Sequence, residues 1–145
     1  MHVRFLKARA VIAGFVAAGV ACAAAATAAS AVRLAIVSGT PQTARAWVAE
    51  HADRFETKFD GALVVKTANV RKVRFRCVTR GCEFPAQDQA DNVNRVNPSA
   101  YDVTTKNGQA SIKLTIWTQT PQTVIVVAQP AERTTPQVRF VLNER

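Results

Sequence analysis

Apolar and polar residues alternate repeatedly along this chain, with the period of a strand. In Lys72-Val73-Arg74-Phe75-Arg76-Cys77, Val73, Phe75 and Cys77 share one face and Lys72, Arg74 and Arg76 the other. Ser111-Ile112-Lys113-Leu114-Thr115-Ile116-Trp117 repeats the pattern, with Ile112, Leu114 and Ile116 inward and Trp117 pointing away from Ile116. Residues 63–66, 123–127 and 137–142 are short runs rich in β-branched side chains. Between Tyr101-Asp102-Val103-Thr104 and Ser111 stands Lys106-Asn107-Gly108-Gln109, and Asn-Gly takes up the positive φ angles of a tight hairpin turn. Short strands with turn signals about every ten residues predict an all-β sandwich.

One segment fits two readings. Ala44, Trp47, Val48, His51, Phe55 and Phe59 fall near helical spacing. The same residues also read as a strand over 42–49, a turn at His51-Ala52-Asp53 and a second strand from Phe55. Gly39-Thr40-Pro41 before and Asp60-Gly61 after punctuate both versions equally.

The first thirty residues have a different character. Residues 10–32 carry no charge, and Arg4, Lys7 and Arg9 stand ahead of them. A basic n-region, an apolar run and the small residues Thr27-Ala28-Ala29-Ser30-Ala31 read as a secretory signal helix cleaved after Ala29, which assigns 1–29 to the leader and 30–145 to a single domain. The second reading is an uncleaved inner-membrane anchor through residues 10–32, although 12 of those residues are Ala. The third takes Cys22 in Gly19-Val20-Ala21-Cys22 as a lipid-attachment cysteine. All three expect export to the periplasm or beyond.

Charge and cysteines add to this picture. The leader holds three of the 19 Lys and Arg, leaving 16 against 10 Asp and Glu, a net of +6. Such a balance favours acidic surfaces and says nothing of fold. Cys77-Val78-Thr79-Arg80-Gly81-Cys82 puts a Gly-containing turn between two cysteines, which predicts a bridge across a hairpin in an oxidising compartment. The spacing is not that of redox motifs, and no second Cys pair or His completes a zinc site.

Candidate chemistry is sparse. His51 is the single histidine after the leader, so no His-based triad forms, and it reads as a turn or surface residue. There is no phosphate-cradling loop and no dinucleotide fingerprint, so no cofactor is implied. Asp88, Asp91, Asn92 and Asn94 fit no established calcium loop and read as surface turns. No metal site and no enzyme are expected. The basic row is the main candidate: Lys72, Arg74 and Arg76 project from one strand face about 7 Å apart, with Arg71 and Arg80 nearby. It would suit an anionic surface. The blander role is a solvated face that keeps an edge strand from pairing. No aromatic platform interleaves with the charges, so specific nucleic-acid recognition is not expected. Trp117 is a candidate contact residue.

The stretch Thr104-Thr105-Lys106-Asn107-Gly108-Gln109-Ala110-Ser111-Ile112-Lys113-Leu114-Thr115 resembles the bacterial immunoglobulin-like domains of the invasin and intimin type. Those carry a Thr-x-x-Asn-Gly-x-Ala-x-apolar-x-Leu hairpin and a closing valine-rich strand, here Thr123-Val124-Ile125-Val126-Val127-Ala128. Ser38-Gly39-Thr40-Pro41-Gln42 is similar to their opening, Leu63-Val64-Val65-Lys66 to their second strand and Val73-Arg74-Phe75 to their Val-x-Phe strand. Asn69-Val70-Arg71-Lys72 replaces their Gly-x-Pro-Val turn, the cysteine pair is outside the pattern, and residues 138–142 look like an added strand. The resemblance implies an immunoglobulin-like sandwich of about 7–9 antiparallel strands, and favours strands over residues 42–59. It also implies a structural or adhesive module of the cell envelope, whose partner is an envelope protein or glycan.

Overall fold

A computed structural model describes residues 30–50 and 53–145. The leader readings, with Cys22, and the reading of His51 fall outside them. Among the described residues the chain is all-β, and no helix is long and apolar enough to cross a membrane.

Among the described residues twelve strands form three sheets, more than the seven to nine expected. The first has the order β1 (Arg33–Ser38), β5 (Leu63–Ala68), β9 (Gln109–Ile112). The second runs β2 (Gln42–Ala44), β12 (Val138–Glu144), β11 (Thr123–Pro130), β6 (Lys72–Cys77), β8 (Ala100–Thr104), β7 (Val93–Asn97). The third is small: β10 (Thr115–Thr118), β4 (Phe55–Lys58), β3 (Ala46–Val48). Every pairing is antiparallel except β2 with β12, which is parallel and so departs from the expected all-antiparallel arrangement.

The alternation in β6 works as the sequence predicts. Val73 and Phe75 are fully buried and Cys77 nearly so, while Lys72 and Arg76 face solvent. Burying such an apolar side chain contributes about 1.5–3 kcal/mol, so this period alone orients the strand. Leu63 and Val65 of β5 and Ile112 of β9 meet Phe75, Val103, Val126, Phe140 and Leu142 in one apolar core. Phe59, Ile116 and Phe84 extend that core under the small sheet.

Within 42–59 the described residues form the strands β2, β3 and β4, as the resemblance favours, but not as one continuous first strand. The chain leaves β1 through Gly39, whose φ of 100° and approach to Ala62 exclude a side chain: a Cβ there would lie 2.5 Å from the Ala62 oxygen. It then joins the six-stranded sheet as β2 and crosses at Arg45 to β3, which pairs with β4.

Three local expectations are corrected. Asn107 and Gly108 do adopt positive φ, and Lys106 and Gln109 exchange backbone hydrogen bonds around them. The flanking strands β8 and β9, however, lie in different sheets, so the turn is a crossover and not a hairpin within one sheet. The run 111–117 is not one strand: it breaks at Lys113-Leu114 into β9 and β10, because Leu114 stays in the core while the chain changes sheets. Third, the cysteine bridge does not span a hairpin. Cys77 and Cys82 are joined, with Cα atoms 6.2 Å apart. The turn they close carries the chain from β6 to Glu83, which bridges to Trp117 in the small sheet. A disulfide of this kind persists in an oxidising compartment. Replacing both cysteines by alanine should cost about 2 kcal/mol by loop-closure entropy. The check is the urea midpoint of the double variant against the oxidised protein; an unchanged midpoint would mean the turn holds without the bridge.

Candidate functional site

Two surfaces gather the polar and aromatic groups. The first is the basic row. Lys72, Arg74 and Arg76 do share the outer face of β6, but they are not equivalent. Asp102 sits opposite Arg74 on β8. Arg74 donates to it twice, from Nε to Oδ1 at 2.7 Å and from Nη2 to Oδ2 at 2.9 Å. This hydrogen-bonded pairing raises the Arg74 pKa further, against a smaller opposing effect of burial. The middle member of the row is therefore occupied within the protein. Lys72 and Arg76 are exposed and have no acidic partner within 4 Å among the described residues.

The edge-protection role does not apply. β6 is paired on both sides, with β11 and β8, and the outer strands of its sheet are β2 and β7. On the outer face Val127 lies in register between Arg76 and Arg139 and is only 2% exposed, as expected where arginine stems lie along an apolar side chain. Arg71 and Arg80 fall beyond opposite ends of β6 and do not cluster. Arg71 and Lys72 open with Arg133 onto a cleft of about 270 Å³. Arg80 belongs to the disulfide turn, where its carbonyl accepts from Gln122 Nε2.

The second surface was not apparent from the sequence. On the small sheet Trp47, Glu56 and Trp117 are direct cross-strand partners, and Glu83 continues the line through its bridge to Trp117. One face of the sheet thus presents Trp-Glu-Trp-Glu in a row. Trp117, half-buried, donates its indole N–H to Glu56 Oε2 at 2.9 Å. Arg54 lies over its ring at 4.9 Å and donates to Glu83. Trp47 is 59% exposed, with the Arg45 guanidinium 4.2 Å from its ring centroid. Cation–π contacts at exposed sites attract the guanidinium to the ring face by about 0.5–1 kcal/mol.

The other face of the small sheet is tied to the body by a buried carboxylate. Glu144, at the end of β12, accepts from Thr57 Oγ1 and Thr118 Oγ1, each at 2.8 Å, and from the Gln122 backbone N–H. Thr57 and Thr118 are almost fully buried and stand next in sequence to Glu56 and Trp117. The two strands that carry the anchor, β4 and β10, also supply Glu56 and Trp117 to the row on the other face.

Beside Trp47 the surface is concave. A cavity of about 700 Å³ is walled by Trp47, Arg45, Glu56, Lys58, Asp60 and Arg145 among others. Its rim is braced by Gln42, which accepts from the Gly61 N–H and donates to the Gly39 and Gly61 carbonyls. A Cβ on Gly61 would meet that side chain at 2.7 Å. Among the described residues no three His, Cys, Asp or Glu side chains gather as metal ligands would, and Asp88 and Asp91 are exposed.

Trp47 escaped the sequence reading because it fell in the segment that fitted a helix or strands. Glu56 escaped because only the cross-strand register reveals that two tryptophans flank it. No protein-family model, curated protein or solved structure matches this chain.

Proposed function

We propose that this protein is an exported, non-enzymatic module of a bacterial cell envelope, an immunoglobulin-like sandwich that adheres to an envelope partner. Strand order is the observation that carries the reading. With β1, β5 and β9 taken as A, B and E, and β12, β11 and β6 as G, F and C, two sheets with the immunoglobulin order share one core. The short parallel pairing of β2 with β12 suits a first strand that divides between the two sheets. The β3–β4 hairpin and β10 are additions to that frame and carry the aromatic row. The disulfide is in keeping with export.

The test is co-sedimentation of the exported protein with insoluble envelope material as salt rises. Retention that survives high salt is expected; protein left in the supernatant at every salt concentration would remove the adhesive role.

A second reading, binding of a polyanion, draws on the exposed Lys72, Arg76 and Arg139. It ranks below the first because Asp102 neutralises Arg74 at the middle of the row. Its mark would be retention on heparin and anionic liposomes that falls steeply with salt. The Lys72→Glu/Arg76→Glu variant, which leaves the Arg74–Asp102 pair intact, would abolish that retention.

A further inference from the structure

We infer that the cavity beside Trp47 binds an uncharged glycan chain of β-linked, gluco-configured sugars. This rests on the adhesive reading and names its ligand. At about 700 Å³ the cavity has the size of a small-ligand site.

The chemistry of its wall selects the ligand class. A gluco-configured ring carries its hydroxyls equatorially, so it offers flat C–H faces and a polar rim. Trp47 supplies an apolar plate, and the residue as a whole is 59% exposed with the Arg45 guanidinium over its ring. Arg45, Glu56, Lys58 and Asp60 around that plate supply donors and acceptors for hydroxyls. A purely apolar ligand would strip water from these groups without replacing its hydrogen bonds. A polyanion finds no concentrated positive field, because Glu56 and Asp60 stand among the cations and Lys58 lies 3.8 Å from Glu56. A protein partner packed dry against the cavity would have to bury the same mixed charges.

The wall is also set in place beforehand, which reduces the ordering cost of binding. Trp117 holds one oxygen of Glu56, leaving the other toward Lys58. Gln42 clamps the corner at Gly61, next to Asp60. Trp117 lies two strands from Trp47, about 10 Å by strand spacing, with Glu56 between them. A chain laid across the strands would therefore run from one ring over the carboxylate toward the other.

The experiment is titration calorimetry of the exported protein with cellohexaose and with chitohexaose, at low and at high salt. Trp47→Ala and Glu56→Gln are the test variants, Arg76→Ala is the control, and thermal melts check each fold. Binding of at least one oligosaccharide, insensitive to salt, is expected. Trp47→Ala should weaken it by at least about tenfold, as for a central aromatic anchor, and Glu56→Gln should weaken it while Arg76→Ala leaves it unchanged. Binding of neither sugar by the folded wild type would overturn the proposal, as would binding that Trp47→Ala leaves intact. Co-sedimentation with envelope material separates the two failures. A wild type that is retained there but ignores both sugars keeps the adhesive reading and loses this site; one that is not retained loses both. Salt-sensitive heparin binding without sugar binding would also refute the site, and would favour the basic face.

Discussion

Replacing Glu144 with alanine is expected to destabilise the domain by roughly 3–5 kcal/mol. Its carboxylate accepts from two buried threonine hydroxyls and one backbone N–H. Each buried donor left without a partner costs about 1–3 kcal/mol. Glu144→Gln should cost only about 1 kcal/mol. Its amide oxygen can take the two bonds that Oε2 accepts, from Thr118 and Gln122, and its NH₂ can donate to a rotated Thr57 hydroxyl. Urea unfolding of the two variants checks this. A large loss in alanine with a small one in glutamine means that the number of hydrogen bonds decides. Equal large losses would assign the role to the negative charge, and no loss in alanine would free β12 from the small sheet altogether. Because Thr57 and Thr118 neighbour Glu56 and Trp117, tryptophan fluorescence should shift in the alanine variant at denaturant levels too low to unfold it globally.

That anchor illustrates what local pattern can and cannot convey. Where one face of a strand is buried and the other wet, alternation is enough: β6, with Val73 and Phe75 inside and Lys72 and Arg76 outside, is legible residue by residue. β7 is different. Val93-Asn94-Arg95-Val96-Asn97 is largely exposed on both faces and exists as a strand because β8 offers it backbone partners, so the polar run read as turns. β1 carries no alternation to mark it, since its apolar residues, Leu34 to Val37, run consecutively. Sheet membership is a long-range property. Asn107-Gly108 encodes a turn faithfully and says nothing about which sheet receives the next strand. The same limit hid the aromatic row: Trp47 and Trp117 are seventy residues apart in the chain and come together only through the register of β4. The basic row was visible because its members share one strand, yet the partner that neutralises Arg74 sits on another.

Phe75→Ala should be among the most damaging single changes, with a loss of about 3–5 kcal/mol. Phe75 is fully buried at the centre of β6, in register between Tyr101 on β8 and Ala128 on β11. The small side chain of Ala128 leaves room for the ring, which meets Phe140 with centroids 6.1 Å apart. Two β-strands flank it, so the backbone has little freedom to collapse into the space left by truncation. The contrast with its outward neighbour is the sharper part of the prediction: Arg76→Ala, one residue along the same strand, should change stability by no more than about 0.5 kcal/mol. Pairing Phe75→Ala with Phe140→Leu in a double-mutant cycle should return a coupling of about 0.5–1.5 kcal/mol for the two rings. If Phe75→Ala and Arg76→Ala cost the same, the inward and outward faces of β6 would be wrongly assigned, and with them the shared core on which the sandwich reading depends. A large loss for phenylalanine and none for arginine would instead leave the outer face free to vary. Lys72, Arg76 and Arg139 could then be altered to test binding without confounding it with folding.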